Sequence, residues 1–254
     1  MPAPANIYET RRLVDEYLLF HYGTAEDILP AVEDEPAAWR AALAAGLDFP
    51  VRTASYLSPA PAGRALDLGC AVGRTAFELS AVCGEVLGID YSRAFIAAAN
   101  ELRDGGRIPY QRHDEGRLSC DLVAMAPSHA RPERVRFEQG DAMNLRADLG
   151  AFDRVHAANL LCRLPEPVRL LDRLPELVRP GGELLLATPC TWLEEFTPPA
   201  NWPPGETFAW LRERLEPAFE LVRVAREPFV IRETARKFQF TLSQTSLWQR
   251  RGDR

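Results

Sequence analysis

The sequence predicts an α/β fold: a seven-stranded, mostly parallel sheet with helices on both faces and one antiparallel strand at its edge. Three observations carry this reading. From Arg64 onward, short apolar runs alternate with helical patterns, the rhythm of strand–helix–strand units. Two strand-like runs then close the chain with little between them, which adds an antiparallel strand at the edge. The first strand-like run passes directly into a glycine turn, A-L-D-L-G-C-A-V-G-R at 65–74, with a helical pattern behind it.

Taken in order, the first sixty residues read as helical. Leu13, Tyr17 and Phe20, then Leu18 and Tyr22, recur at helical spacing and stop at Gly23. A second helix is expected over 36–46, from a start-type proline to a stop-type glycine, and a third over 49–56. Ser58 to Gly63 reads as a linker. Strands are expected at 64–68, 85–89, 134–138, 152–157 and 183–187, with helices at 73–82, 92–103 and 165–179. A helix near 206–216 precedes the last two strands, 219–225 and 237–249. Residues 104–133 break the rhythm and read as an insertion: a hairpin of 108–113 and 117–124, turned by Asp114-Glu115-Gly116 and packed on the sheet's flank. The expected organisation is a helical extension or lid over 1–62, followed by a ligand-binding domain over 63–254.

Composition removes several functions. No run of 18 apolar residues is present, so no membrane span is expected. Residues 1–6 lack the basic and apolar regions of a signal peptide, and five scattered cysteines read as reduced thiols, which points to the cytoplasm. The net charge is −6 and Lys237 is the single lysine, a poor basis for phosphate contacts, so no nucleic-acid partner is expected. The histidines (His21, His113, His129, His156) are far apart and no C-x-x-C or H-E-x-x-H occurs, so no metal is expected.

A dinucleotide turn places glycine at relative positions one, three and six. Counted from Gly69, those positions hold Gly69, Ala71 and Arg74, and the pattern is instead Asp67-x-Gly69-x-x-x-Gly73. Asp90 ends the next strand, 17 residues after Gly73, where a carboxylate can accept hydrogen bonds from both hydroxyls of a ribose; Tyr91 can lie against the base. Enzymes that bind NAD use the same acid, so Asp90 alone does not discriminate.

The turn resembles the nucleoside-binding turn of S-adenosylmethionine-dependent methyltransferases with a Rossmann-like sheet, and two further segments extend the likeness. Gly140-Asp141-Ala142 resembles the position where an acid accepts the adenine amino group. Ala158-Asn159-Leu160-Leu161 resembles the loop after the fourth strand that touches cofactor and substrate. The resemblance implies S-adenosylmethionine as cofactor, S-adenosylhomocysteine as product, no metal, and cofactor contacts from Asp67, Gly69, Cys70, Ala71, Gly73, Asp90, Tyr91, Asp141, Ala142, Asn159 and Leu160. The plainer alternatives stay open: Asp67 bonded to loop amides, Cys70 as a small packing residue, and His156 as a satisfied core histidine. Asn159-Leu160-Leu161-Cys162 lacks the Asn/Asp-Pro-Pro-Tyr of a large group of base-methylating enzymes.

Ligands of such sheets sit beyond the carboxyl ends of the strands. That rule selects loops 69–74, 90–93, 141–144, 159–164, 190–204 and, if the sixth strand is parallel, 226–236. The last two hold Trp192, Glu194, Glu195, Phe196, Trp202, Arg232, Glu233 and Arg236, aromatics and opposite charges that suit a small zwitterion or, for the tryptophans, the packing of a lid. Segments N-I-Y-E-T (6–10), E-Y-L-L-F-H-Y-G (16–23), D-F-P-V-R (48–52), 66–74, 158–164, T-W-L-E-E-F-T-P (191–198) and I-R-E-T-A-R-K-F (231–238) resemble the methyltransferase of ovothiol biosynthesis. That family methylates the imidazole of 5-thiohistidine, also called 4-mercaptohistidine. Many of its members carry an iron-dependent sulfoxide synthase in the same chain. No H-x-x-x-H-x-E motif occurs here, so the carbon–sulfur bond is expected to come from a separate synthase. On this reading His21, Tyr22 and Glu195 are candidates to orient the ring or accept its proton. Arg52, 17 residues before Gly69, is a candidate to hold a carboxylate of cofactor or substrate. Tyr8 and Tyr22 are candidates to close over the site, with Trp192, Arg232 and Glu233 against the substrate.

Overall fold

The computed structural model describes residues 7–30 and 37–252; the expectations resting on Asn6 and on Pro36 as a helix start lie outside them. A one-turn 3₁₀ helix, Ile7–Glu9, leads into α1 (Arg11–Tyr22), whose first turn is capped by the Thr10 hydroxyl accepting from the Leu13 amide. Thr24 and Asp27 cap α2 (Ala25–Ile28) reciprocally. Helices α3 (Ala37–Ala44) and α4 (Phe49–Ala54) follow, the second entered through Asp48 in the left-handed region.

Among the described residues, seven strands form one sheet: β1 (Ala62–Leu68), β2 (Cys83–Asp90), β5 (Val135–Gln139), β6 (Phe152–Ala158), β7 (Val178–Thr188), β8 (Phe219–Arg232) and β9 (Phe238–Arg250), in the order β5-β2-β1-β6-β7-β9-β8. The first five run parallel. At the far edge β9 runs antiparallel and inserts between β7 and β8. The crossovers carry α5 (Arg74–Ser80), α6 (Arg93–Arg103) and α7 (Pro167–Leu177), and α8 (Thr207–Leu215) precedes β8. Both faces are covered, which is why Ala65 to Leu68 are buried without alternation. Ala65 joins a core with Leu18, Phe77 and Phe95; Leu66 and Leu68 join the opposite one, with Leu170, Leu174 and the buried Trp248.

Strand order reverses at β1. From there the chain builds outward through β2 to β5, then returns to place β6 on the other side. Such a reversal leaves a crevice beyond the carboxyl ends of β1 and β6, where ligands of open α/β sheets bind.

The inserted hairpin, β3 (Ile108–Glu115) and β4 (Leu118–Ala124), forms a separate two-stranded sheet, and its turn falls at 116–117, later than expected. It packs against the N-terminal helices: Arg11 donates to the Pro109 carbonyl at 2.6 Å and Arg112 to the Asp27 carbonyl at 3.1 Å.

The stretch 226–236, expected as a loop, is strand through Arg232, and only 233–237 turns. The pairing persists because Phe229 and Val230 are buried; Phe229 packs on Phe49 and Phe20, and the Val230 amide donates to the Gly46 carbonyl. Arg232 is thereby carried away from the ligand crevice. It is 6% exposed, donates to the carbonyls of Asp27, Ile28 and Leu29 at 3.3 Å, and pairs with Asp114 at 2.7 Å. A cation meets the open carbonyls at the end of α2 and ties helix, hairpin and sheet together.

Arg232→Met leaves these carbonyls and part of the Asp114 charge without a partner. It should lower stability by about 3 kcal/mol, read as a fall in the urea midpoint at unchanged m-value.

Candidate functional site

The glycine turn is built by three left-handed residues at alternate positions: Gly69 (φ 71°), Ala71 (φ 47°) and Gly73 (φ 89°). The amides of Gly69 and Cys70 donate to the Ile89 carbonyl at 2.8 and 3.1 Å. Ala71 was set against a glycine pattern in the sequence, yet its backbone adopts a glycine's conformation, at a cost of about 1 kcal/mol. The return is its amide, which donates to Asp90 Oδ2 at 2.9 Å. At Gly73 no side chain fits: a Cβ would lie 2.6 Å from Phe137 Cζ. Cys70 is buried, its Sγ 3.1 Å from where a Cβ on Gly88 would stand, and burial pushes its thiol pKa up; it packs.

Asp90 accepts from Ala71 through one oxygen and from the Ser92 amide, at 2.8 Å, through the other. Each oxygen keeps a second lone pair. Burial pushes this carboxyl up to about 6 even though both amides favour the charged form.

Asp67 does not bond the loop amides. Its Oδ1 lies 2.9 Å from His156 Nδ1, and His156 Nε2 lies 3.0 Å from Thr53 Oγ1. A carboxylate only accepts, so Nδ1 carries a proton. All three side chains are buried, and the chain links β1 and β6 to α4. His156 is thus a satisfied core histidine. Asp67 Oδ2 is also buried and has no hydrogen-bond partner among the described residues.

The N-terminal segment closes on this edge. Ser92 Oγ donates to the Tyr8 carbonyl at 2.8 Å, and Glu9 accepts from the amides of Arg93 and Ala94 at the start of α6. The Tyr8 ring is 5.9 Å from Phe95, 6.1 Å from Tyr17 and 6.4 Å from Phe196. The Tyr22 hydroxyl donates to the Val72 carbonyl at 2.8 Å, so it braces the turn; burial pushes the phenol pKa up, the opposite of what a proton acceptor requires. Arg74 donates to the His21 carbonyl at 2.9 Å. Burial lowers the His21 imidazole to about 3, with Arg74 adding to the effect, and its buried Nδ1 has no partner among the described residues.

The other expected residues make contacts of their own. Arg52 is engaged by the protein itself: it donates to the carbonyls of Ala45, Leu47 and Pro228 and pairs with Glu227 at 3.2 Å, closing the open carbonyls after α3. Trp192 turns away, donating to Thr207 Oγ1 at 2.9 Å with its ring edge-on to Trp210. Glu233 sits at the β8–β9 turn with Lys237 and Gln239. Glu195 is exposed in the segment before Phe196, and Tyr91 is 63% exposed. Asp141 Oδ1 accepts from the Met143 amide at 2.9 Å, and Ala142 is buried in the second core. Asn159 (φ 54°) accepts from Ser243 at 2.5 Å, and Leu160 lies against Gly69. Sequence reasoning passed over Arg163. Its guanidinium stands 4.6 Å over Phe196, donates at 3.3 Å to the Cys162 and Thr191 carbonyls, and hydrogen-bonds the Tyr8 side chain. Its place in loop 159–164, within the segment 158–164 that carries part of the family resemblance, was the signal.

Among the described residues no helix is long and apolar enough to cross a membrane, and no group of three or more His, Cys, Asp or Glu could hold a metal. A family model described as "Methyltransferase domain" matches residues 38–229, and the chain belongs to that family. It is 32% identical over 143 residues to a trans-aconitate 2-methyltransferase of Deinococcus radiodurans, a match taking in 55% of this chain and 43% of that one. A methyltransferase of Streptomyces halstedii is 29% identical over 124 residues, 49% of this chain and 37% of its own. The chain thus spans less than half the length of these curated relatives. In structure it is similar to a magnesium protoporphyrin IX methyltransferase of Synechocystis PCC 6803, solved with bound S-adenosylhomocysteine: TM-score 0.52 and 17% identity, covering 85% of this chain and 89% of that one. That likeness shows the fold.

Two of the turn's small residues should respond unequally to substitution. Gly73→Ala adds a left-handed Cβ and a clash with Phe137, and should cost about 2–4 kcal/mol. Ala71→Gly relieves strain while loosening the unfolded chain, and should change stability by less than about 1 kcal/mol. Denaturant titration of the two variants checks both.

Proposed function

We propose that this chain is an S-adenosylmethionine-dependent N-methyltransferase that methylates an imidazole nitrogen of 5-thiohistidine, giving ovothiol A and S-adenosylhomocysteine. The observation that carries the reading is a pair of buried, unpartnered atoms among the residues around the glycine turn. Asp67 Oδ2 can only accept, and calls for a cationic or N–H donor such as the ammonium of the cofactor. His21 Nδ1, on an imidazole held neutral, can accept from a donor such as an acceptor's ring N–H in the tautomer protonated at Nε2. The remaining groups fit the cofactor as well. Asp90 keeps lone pairs for ribose hydroxyls, and Asp141, with one oxygen on the Met143 amide, keeps the other for an adenine amino group.

When bound, S-adenosylmethionine supplies an electrophilic methyl group on a sulfonium. Only a ring nitrogen with a free lone pair attacks it, so the protein's task is to select a protonation state and an alignment. Neutral His21 accepts from one ring nitrogen and leaves the other unprotonated. Tyr22, tied to Val72, fixes the turn, while Tyr8 and Phe196 exclude water above it. Alignment of this kind contributes about 7–11 kcal/mol in favourable cases. Glu195, at the solvent side of the same segment, is the candidate to take the released proton. A second reading, a small carboxylic acid acceptor, is favoured by the similarity to the trans-aconitate enzyme and by Arg163.

With S-adenosylmethionine and 5-thiohistidine the protein should form a product heavier by one CH2 group, detected by mass spectrometry; no such product at any pH from mildly acidic to mildly basic sinks the thiohistidine reading. Asp90→Ala should weaken S-adenosylhomocysteine about 10–100-fold in calorimetry, through loss of charged hydrogen bonds. Protonation removes the acceptor, so wild-type affinity should fall as pH drops through about 6 and level off above it. Asp90→Asn should flatten that dependence.

A further inference from the structure

Arg163 has no carboxylate partner among the described residues, although it stands half-buried beside the crevice where strand order reverses. Its neighbours are uncharged: the carbonyls of Cys162 and Thr191, the Phe196 ring and the Tyr8 side chain. Three other arginines that the sequence offered to this edge are engaged. Arg52 pairs with Glu227 and Arg232 with Asp114, while Arg74 is held by Glu78 at 2.7 Å. A guanidinium carries five donors in a plane, and one partly withdrawn from water without a counter-charge favours an oxyanion bound by two of them.

Position distinguishes acceptor from cofactor. Most groups that suit the cofactor, Asp67, Gly69, Gly73 and Asp90, belong to the ends of β1 and β2, while Asn159 and Leu160 precede Arg163 in the loop after β6. Arg163 follows β6, and its contacts Thr191 and Phe196 follow β7. Tyr8 spans the two sides, with Phe95 of α6 on one and Phe196 on the other. An anion at Arg163 therefore lies on the β6–β7 side of that ring.

We propose that Arg163 anchors a carboxylate of the methyl acceptor and so restricts the site to small carboxylic acids, amino acids included. This rests on the methyltransferase reading, and on the acceptor only in requiring a carboxylate. Arg163→Met should raise the acceptor KM about 10–100-fold, the loss of a charged hydrogen-bonded contact, while the S-adenosylhomocysteine Kd stays within about twofold. Wild type should lose a similar factor on 5-thiohistidine stripped of its carboxylate, and the variant should treat both acceptors alike. Arg163→Lys, which keeps charge but not the planar fork, should fall between. The wild-type comparison holds even where the methionine variant fails to fold. A parallel loss of S-adenosylhomocysteine affinity overturns the proposal in favour of a cofactor contact. Equal use of both acceptors by wild type overturns it outright. Wild-type turnover of trans-aconitate but not 5-thiohistidine ends the thiohistidine reading alone. The same KM comparison for Arg163→Met then runs on trans-aconitate, where an unchanged KM overturns the proposal. Turnover of neither acid overturns both.

Discussion

The carboxylate of Asp90 is the point on which the carboxyl edge of the sheet converges. One oxygen holds the Ala71 amide and keeps the glycine turn in its left-handed path. The other holds the Ser92 amide, and Ser92 caps α6 while its hydroxyl binds the Tyr8 carbonyl. Glu9 caps the same helix from the N-terminal side. Turn, helix and aromatic cover are thus assembled around one acid. That acid is pushed up to about 6 by its burial, so holding it ionised works against the fold's own stability. A folded-state carboxyl raised in this way contributes more stability below its ordinary pKa and loses it as pH rises toward 6. The arrangement is that of a site kept ready for hydrogen-bond donors rather than of a structural ion pair.

A second theme is the use of arginine. With a single lysine in the chain, nearly all positive charge is planar guanidinium. Arg52, Arg232 and Arg64 collect backbone carbonyls at helix ends and loops, each adding one carboxylate: Glu227, Asp114 and Glu85. Arg52 and Arg232 in this way tie the N-terminal helices and the inserted hairpin to β8. This use of arginine also explains why an arginine near a motif in sequence is weak evidence for a ligand contact. The five donors of the group make it equally suited to closing the open end of a helix.

The parallel strands, the order of helices and the hairpin were legible in the sequence because each is a local pattern of period or turn chemistry. Strand ends were less so: β8 gains Arg226 to Arg232 from pairing with β9 and from burial of Phe229, neither of which is a local property. The same extension carried Arg232 out of the expected loop. The partner of the Trp192 indole N–H, Thr207, lies fifteen residues away and is not a local property of the sequence.

By itself the sequence determined the fold class, the glycine turn and the acids at strand ends, since spacing along one strand and turn is inherited directly by the backbone. It also marked Tyr8, His21 and Tyr22 as a group without showing what each does. Only tertiary structure decided those roles. Burial made His21 neutral and Tyr22 a brace, His156 took one oxygen of Asp67 and left the other unpartnered, and packing of residues far apart in the chain set Arg163 beside Tyr8. The reason is physical: a side chain's identity sets which bonds it can make, but its neighbours and its distance from water set which ones it does make.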